Sequence, residues 1–512
     1  MLPPSYLDRM PDAFVQLAQQ VEDEILQDVA RRIGKMGTLT ETADWQLWRY
    51  QQTEAVRENV VKLLAKYSGK SEATIRRLLK EAATEAMERE DAIYYHYNLE
   101  PTPFEESAAL NNLLNAGARQ TCGTWRNLTA TTANTVSGAF ERTLDVAWGK
   151  VATGAFDYKT AVKQAVDSLA DEMPEITYPS GHTDSLEVAA RRAVLTGVNQ
   201  TAGKLQETRM DEMNVEFVET SAHGGARPSH AEWQGRRFHR GGAVDYLGKH
   251  YPDFEQATGY GTGAGLCGWN CRHTFFAVFP ELGPAPAWTQ ADLEALNARN
   301  IEYNGKKYTQ YEISQMQRAR ERNVRRWKKR YLAEDAAGLD TTDSAVRLKT
   351  ARQSLAEFAQ ATGGRVDSAR ISVPKFGRSE ASRANWAAKD YEKQQKDAII
   401  IENLRTAAKL PKAAVIHLEP TKINVDALTF DDAHINAERE HRVSEEQAKQ
   451  YIRNAKISVS VWNGQFERYY GTEGAAYVNT IKHEIRTAYS RAEFDENTTA
   501  LIEEMKKNGI LG

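Results

Sequence analysis

The sequence has little cysteine and no long hydrophobic run. Three cysteines among 512 residues exclude a disulfide-stabilised scaffold and are typical of a protein made in a reducing compartment. The longest apolar runs fall far below the ~20 residues that span a bilayer, and Met1–Phe14 lacks the basic start and apolar stretch of a signal peptide. We therefore expect a soluble protein of the cytosol with no membrane segment.

An excess of charge of one sign is also absent. Lys and Arg total 66 against 70 Asp and Glu, a net charge of -4, which excludes a strongly basic body that wraps nucleic acid by charge alone. Any contact with DNA or RNA must therefore be local. With roughly 100–200 residues per domain as a guide, the length allows a multidomain protein of three or four domains.

The first part of the chain, residues 1–213, has the apolar spacing of helices. From Pro11 the apolar positions recur every three or four residues and so line one helix face: Phe14, Leu17, Val21, Ile25, Val29 and Ile33. Gly34 and Gly37 end this helix, and Thr38 with Glu41 has the form of a capping box for a second helix that closes at Ser68-Gly69. Further helices are predicted near 71–97, 107–153, 157–172 and 184–213.

Three further segments follow. Residues 214–285 are predicted as a small α+β domain, because Val215–Glu219 alternates as a strand and Phe275–Phe279 reads as another. Residues 286–395 are predicted as a helical connector, helical throughout 289–362. Its run Arg318–Arg330 holds eight basic residues and one acid, Glu321, which indicates a solvated helix face or, alternatively, a contact with the phosphates of DNA.

Histidine and cysteine are concentrated within 51 residues. This segment holds five of the eleven histidines and two of the three cysteines: His223, His230, His239, His250, His273, Cys267 and Cys271. The spacing Cys267-x-x-x-Cys271-x-His273 suits ligands that converge on tetrahedral zinc, with His223 or His230 as a fourth ligand. The alternative is that the histidines bond loop carbonyls and the cysteines are small buried apolar residues.

Two stretches around this cluster resemble a known family. Ser221–Gly235 reads SAHGGARPSHAEWQG and Cys267–His273 reads CGWNCRH. Together with the helical first half and the basic helix, they are similar to the phage minor capsid proteins related to the MuF head-morphogenesis family, over roughly residues 1–340. The resemblance implies a low-copy head protein of the virion, made in the bacterial cytoplasm. It further implies that the protein lies near the portal, contacts portal, capsid and scaffold proteins, and leaves with the genome.

The last segment, residues 396–512, is predicted as α+β. A helix over 444–455 precedes an alternating strand at 456–462, and Asn463-Gly464 is the signature of a hairpin turn. Strand-like stretches follow at 467–470, 476–480 and 485–489 before a closing helix at 495–508.

This segment contains residue types that cleave RNA without a metal. Such cleavage needs a general base, a general acid and a cation beside the phosphate. We expect His441 as the base or acid, Arg486 as the phosphate clamp, and Tyr470 (or Tyr469) and Thr487 as positioning groups, with His434 nearby. Over residues 410–512 the pattern resembles the nuclease-like modules of the barnase, EndoU, colicin and RelE superfamily, which implies RNA as substrate. The alternative is a binding module without chemistry.

The leading interpretation is thus a phage minor capsid protein that carries a C-terminal ribonuclease module. One rival is a polymorphic toxin whose N-terminal two-thirds serves delivery only. A second rival is a zinc-dependent hydrolase built on His223, His230, Cys267 and Cys271, which ranks last because the sequence has no His-Glu-x-x-His motif.

Overall fold

The protein is described by a computed structural model over residues 2–36, 42–153, 155–172, 175–177 and 182–511. Within these residues the chain forms two compact units, Met1–Ala387 and Ala388–Gly512. No helix in this part of the chain has both the length and the apolar composition needed to cross a membrane. The division into four segments at 213, 285 and 395 stays a prediction.

The first half of unit 1 is mainly helical, as predicted. Its elements are α1 (Pro4–Arg9), α2 (Asp12–Gly34), α3 (Thr42–His96), α4 (Ala108–Ala152), α5 (Tyr158–Glu172), the hairpin β1 (Glu175–Thr177) and β2 (Thr183–Ser185), and α6 (Leu186–Glu212). The apolar stripe of α2 is buried in the main core, where Phe14, Ile25 and Ile33 have no exposed surface. The predicted capping box of Thr38 and Glu41 lies outside the described residues.

The predicted helix end at Ser68-Gly69 is wrong, because α3 runs unbroken through it for 55 residues. A glycine inside a helix costs about 1 kcal/mol relative to alanine. Burial of a large apolar side chain contributes about 1.5–3 kcal/mol, and Tyr67 and Ile75 are both buried on either side of the glycine. Tertiary packing therefore outweighs the local preference of Gly69.

The second half of unit 1 combines short strands with helices. It contains β3 (Phe217–Thr220), α7 (Pro228–Ala231), β4 (Arg237–His239), β5 (Val244–Tyr246), β6 (Lys249–Tyr251), α8 (Phe254–Thr258), β7 (Phe275–Ala277), α9 (Gln290–Asn297), β8 (Ile301–Tyr303), β9 (Lys306–Tyr308), α10 (Gln310–Ala336) and α11 (Thr342–Ala361). Strands β4, β3 and β7 form an antiparallel sheet in that order. The boundary between the units falls within α12 (Arg378–Ala407).

The expectation of helix throughout 289–362 is wrong at β8 and β9. These strands form a hairpin whose turn is Asn304-Gly305, both with positive φ (49° and 71°). Asn-Gly is the pair that the tight type I′ turn favours. The sequence therefore contained the signal for the turn. The strands on either side of it have three residues each, too few for periodicity to distinguish a strand from a helix.

The basic run in α10 is a solvated face only at Arg322 and Arg326, because its other six basic residues are buried or half-buried. Arg325 pairs with Glu187 of α6 at 2.5 Å, Lys329 with Glu22 of α2 at 2.6 Å and Arg326 with Asp171 of α5 at 2.6 Å. Arg330 pairs with Asp167 of α5. The helix is thus held against three others by ion pairs. Its contact with packaged DNA stays a prediction.

Unit 2 contains a sheet with helices on both faces, a C-terminal α+β arrangement as predicted. Its elements are β10 (Val415–His417), β11 (Thr429–Phe430), α13 (Glu445–Arg453), β12 (Ile457–Val461), β13 (Phe466–Tyr470), β14 (Gly474–Asn479), β15 (Glu484–Ser490) and α14 (Glu496–Lys507). In residues 388–511 the sheet has the order β10-β12-β13-β14-β15-β11, with only β11 parallel to its neighbour. Helix α14 packs on one face and α13 on the other.

We expect the substitution Lys329→Met to destabilise unit 1 by about 3 kcal/mol or more. The side chain of Lys329 is 12% exposed and that of Glu22 1%, and removal of one partner of a buried ion pair leaves an uncompensated charge, which costs about 3–5 kcal/mol. Chemical denaturation followed by fluorescence measures the loss. Lys62→Met is the control, because the Lys62 side chain is 76% exposed. Equal effects of the two substitutions would contradict the prediction.

Candidate metal centre and candidate catalytic groups

Three of the five predicted metal ligands, Cys267, Cys271 and His273, lie on a tightly folded loop that follows α8, whereas His223 and His230 lie just before and within α7. In this loop a Cβ atom on Gly265 would lie 1.9 Å from the carbonyl oxygen of Gly259, so no larger residue fits there. Cys267 has a positive φ of 58°. The side-chain amide of Asn199, on α6, donates hydrogen bonds to the carbonyl oxygens of Cys271 and His273, both at 3.0 Å. Helix α6 therefore fixes the end of the loop that carries the ligands.

Three of the five predicted ligands come together. His230, Cys271 and His273 are all buried, and their donor atoms lie within 4.8 Å of one another. The two Nδ1 atoms are 3.4 Å apart, and the Sγ atom of Cys271 is 3.7 Å from each. Tetrahedral zinc with Zn–N of about 2.05 Å and Zn–S of about 2.3 Å separates two nitrogens by about 3.3 Å and nitrogen from sulfur by about 3.6 Å. The group could therefore bind a metal ion without rearrangement.

Hydrogen bonds set the tautomer of both histidines. The Nε2 atom of His230 lies 2.9 Å from the carbonyl oxygen of Ala264, so Nε2 must donate. The Nε2 atom of His273 lies 3.0 Å from Oε1 of Gln234, and this oxygen also accepts from the backbone amide of His223. With both protons on Nε2, the two Nδ1 lone pairs face each other. A bound cation would remove the repulsion between these two lone pairs. Ala264 and Gln234, which bond the Nε2 atoms, orient the imidazoles as such partners do in metal sites.

Burial keeps this group uncharged at neutral pH. It lowers the pKa of His230 to about 4 and that of His273 well below its usual value, where the neighbouring His223 and His230 act in the same direction. Burial also raises the pKa of the Cys271 thiol. Both imidazoles are thus available as neutral ligands, whereas the thiol must release a proton when a metal binds.

The other two predicted ligands lie outside this group. The thiol of Cys267 is directed to the carbonyl oxygen of His273 at 3.8 Å. The ring of His223 stacks on His273 with centroids 4.4 Å apart, and its Nδ1 contacts the carbonyl oxygen of Gly224. Among the described residues, the buried Nε2 of His223 has no hydrogen-bond partner. His239 and His250 bond to Gly242 and Asp245 elsewhere in the same half of unit 1.

The predicted catalytic histidines of unit 2 are each paired with a glutamate. His441 Nδ1 lies 3.0 Å from Oε1 of Glu493, and its ring lies 5.6 Å from that of Tyr489 on β15. His434 lies in a π-helical turn over Ala433–Glu438, where its Nδ1 is 2.6 Å from Oε2 of Glu438. A carboxylate on one ring nitrogen orients the imidazole and leaves the other nitrogen to act on a substrate.

The remaining predicted catalytic groups belong to the sheet. Arg486 occupies a bulge, because β14 pairs Tyr477 with Thr487 but Val478 with Ile485. It contacts Asp431, and its side chain is 44% exposed. The hydroxyl of Tyr469 donates to the carbonyl oxygen of Thr421 on the face of the sheet that α13 covers.

Tyr470 is buried and belongs to a hydrogen-bonded chain of hydroxyl groups. Its hydroxyl lies 3.1 Å from that of Tyr477, which lies 2.7 Å from that of Tyr489. The chain ends at the ring of Tyr489, which is also the neighbour of His441. Thr487 stands opposite Tyr477 in the sheet.

Sequence reasoning missed the partners that orient these groups. Gln234 lies four residues after His230 within the quoted SAHGGARPSHAEWQG stretch, so a signal for it was present. The sequence gave no signal for Asn199 or Glu493, because Asn199 is 72 residues from Cys271 and Glu493 is 52 residues from His441. Their roles depend on how α6 and β15 pack.

Comparison with known proteins identifies the family. The family model described as "Phage minor capsid protein 2" matches residues 2–360, which include the helical first half, the metal-ligand group and α10. The chain therefore belongs to this family of phage minor capsid proteins, and the prediction of a phage capsid role is confirmed. Membership points to the virion as its location and to other virion proteins as its partners. No curated protein and no solved structure matches the chain.

We expect the purified protein to bind one zinc ion per chain and Cys271→Ser to abolish this binding. Gln234→Leu should weaken it by about 10- to 100-fold, because loss of an outer-shell partner has that effect on metal affinity. The affinity should also fall about tenfold per pH unit below neutrality, since the Cys271 thiol must lose its proton, while the pKa of His230, about 4, leaves that imidazole neutral. Calorimetric titration with zinc after chelator treatment measures the number of bound ions and the affinity of each variant at each pH.

Cys267→Ser and Cys122→Ser are the matched controls for this titration. Both thiols are buried and free but lie outside the ligand group. Zinc binding that survives Cys271→Ser, or that disappears equally in Cys267→Ser, would contradict the assignment of the three ligands.

Proposed function

We propose that this chain is a low-copy head protein that lies near the portal, takes part in head assembly and leaves the capsid with the genome. The family match over residues 2–360 carries the proposal. It includes residues 2–213 of the helical first half, residues 1–213, which we assign to contacts with portal, capsid and scaffold proteins.

Exposed apolar side chains on α3 and α4 support a protein partner for this region. Leu47 and Tyr50 on α3 are 59% and 65% exposed, and Val146 on α4 is 56% exposed. Arg49 of α3 pairs with Asp145 of α4 at 2.6 Å, so these parts of the two helices are neighbours. Clustered apolar side chains on a surface commonly mark a binding site for another protein.

We expect a small number of full-length copies per particle relative to the major capsid protein, and fewer after the genome has been released in vitro. Quantitative mass spectrometry of purified, nuclease-treated virions before and after release measures both. Absence from particles, together with abundance in infected cells, would contradict the head assignment and favour the toxin alternative. Copies that all stay in the emptied capsid would contradict ejection.

A matched pair of phage variants tests the proposed contact surface in the same measurement. The double substitution Leu47→Asp and Tyr50→Asp should lower the copy number per particle, because charged side chains do not bury in an apolar interface. Lys62→Asp, an exposed position on the same helix, should leave it unchanged.

We further propose that unit 2 is a ribonuclease cargo that acts without a metal ion. The arrangement of His441 favours this function, since its imidazole is held by Glu493 and leaves Nε2 to act as base or acid. Arg486 is exposed enough to bind a phosphate, in exchange for its contact with Asp431. Buried Tyr470 acts through Tyr477 and Tyr489, which position His441, and Thr487 supports the same face. His434 is the second candidate acid.

We expect the full-length protein to cleave RNA in the presence of EDTA, and the double variant His441→Gln, Arg486→Gln to lose at least about 100-fold of the rate, the lower end of what general acid–base catalysis contributes. Gel analysis of labelled RNA measures the rate. His483→Gln, an exposed histidine of the same unit, is the control. Undiminished cleavage by the double variant would overturn these residue assignments and leave a binding module or a different site.

A further inference from the structure

We propose that the arginine-lined cavity in unit 1 binds a phosphate dianion, either inorganic phosphate or the terminal group of a phosphate monoester. The cavity has a volume of about 620 Å³, and one part of its wall is the group His230, Cys271 and His273. This is within the size range of small-ligand sites, about 300–1,000 Å³, and far too narrow for a DNA duplex. The proposal is independent of the head and ribonuclease functions argued above.

The charge of the wall favours an anion. Among the described residues, eight arginines and five carboxylates line the cavity. Four of the arginines, here called the arginine cluster, surround Asp8: Arg191, Arg272, Arg318 and Arg370. They come from α6, the ligand loop, α10 and the segment after α11, so the fold brings them together from four parts of the chain.

Asp8 alone does not balance this cluster. Its carboxylate lies 2.9 Å from Arg370, 3.1 Å from Arg191 and 3.6 Å from Arg272. Arg191 and Arg370 have further carboxylate partners in Asp12 and Asp367.

Arg318 is the member with the least compensation. The charges that act most strongly on it are the three other arginines of the cluster and Asp8. Burial, followed by the repulsion from Arg370 and Arg272, lowers the pKa of Arg318 to about 10. A half-buried positive charge among other positive charges costs free energy unless an anion neutralises it.

A doubly charged tetrahedral oxyanion suits this geometry. Guanidinium groups present planar forks of N–H donors that match phosphate oxygens, and several of them aimed from different sides can surround one phosphate. The source of the phosphate is a free nucleotide or inorganic phosphate, or else the 5′-phosphate at the end of a DNA strand. The chemistry at the cluster is the same for each.

The test is calorimetric titration of the full-length, chelator-treated protein at constant ionic strength, so that a phosphate held by a metal is not counted. The probes are inorganic phosphate, adenosine 5′-monophosphate, adenosine, and a single-stranded oligonucleotide with and without a 5′-phosphate. We expect the phosphate-bearing small molecules to bind and adenosine not to bind. Tighter binding of the oligonucleotide only when it carries a 5′-phosphate identifies a strand end as the source.

Substitutions at Arg318 connect the binding to the cluster. Arg318→Met should weaken phosphate binding by about 10- to 100-fold, the loss of a charge-assisted hydrogen bond, and Arg318→Lys should weaken it less. The control Arg326→Met makes the same change on the same helix at a residue that pairs with Asp171 outside the cavity. Without phosphate, the melting temperature of Arg318→Met should not fall, because the substitution removes a charge from among like charges.

Three results would overturn the proposal. The first is no binding of phosphate or adenosine 5′-monophosphate by the wild-type protein, and the second is equal weakening by Arg318→Met and Arg326→Met. The third is oligonucleotide binding that ignores the 5′-phosphate while the small phosphates do not bind, which would indicate contact with the DNA backbone at the surface.

Discussion

The pairing of α10 with buried carboxylates is the constraint on which unit 1 depends. Lys329 of α10 reaches Glu22 of α2, and the other oxygen of Glu22 accepts the backbone amide of Glu187 at the start of α6. Although burial by itself would lower the pKa of Lys329, the nearby carboxylates of Glu22, Glu187 and Asp23 raise it above its usual value. Charges this deep are tolerated only when partnered, so the three helices must pack together. The cavity follows, because α6 supplies Arg191 and α10 supplies Arg318.

The same helix α6 also determines the candidate metal centre. Asn199 holds the carbonyl oxygens of Cys271 and His273, and Gln206, two turns further along, holds that of Phe275 on β7. The loop can then turn tightly at Gly265 and direct the donor atoms of Cys271 and His273 toward His230 on α7. The candidate metal ligands, the arginine cluster and the helical core are therefore one packed assembly, in which a change in α6 would affect all three.

Unit 2 has a different feature, a row of hydrogen-bonded tyrosine hydroxyl groups within its sheet. The hydroxyl groups of Tyr470, Tyr477 and Tyr489 hydrogen-bond to one another on the face that α14 covers. These bonds avoid the free-energy cost of burying a hydroxyl group without a hydrogen-bond partner. The bulge at Arg486 interrupts the pairing of β14 and β15, and bulges re-aim side chains beside functional sites. The predicted catalytic residues thus divide between an exposed edge and a buried network.

The sequence by itself determined the local structure and the family. Apolar spacing located α2, and the Asn463-Gly464 turn and alternation located β12 and β13, because these signals act over a few residues. It also gave a list of five metal ligands. Only the tertiary structure selected His230, Cys271 and His273 from that list, carried α3 through Gly69, and turned the basic face of α10 toward carboxylates more than 130 residues away in the chain. Contacts between residues far apart in sequence decide such choices, and their energies of burial and charge pairing exceed the local preferences that a sequence reveals.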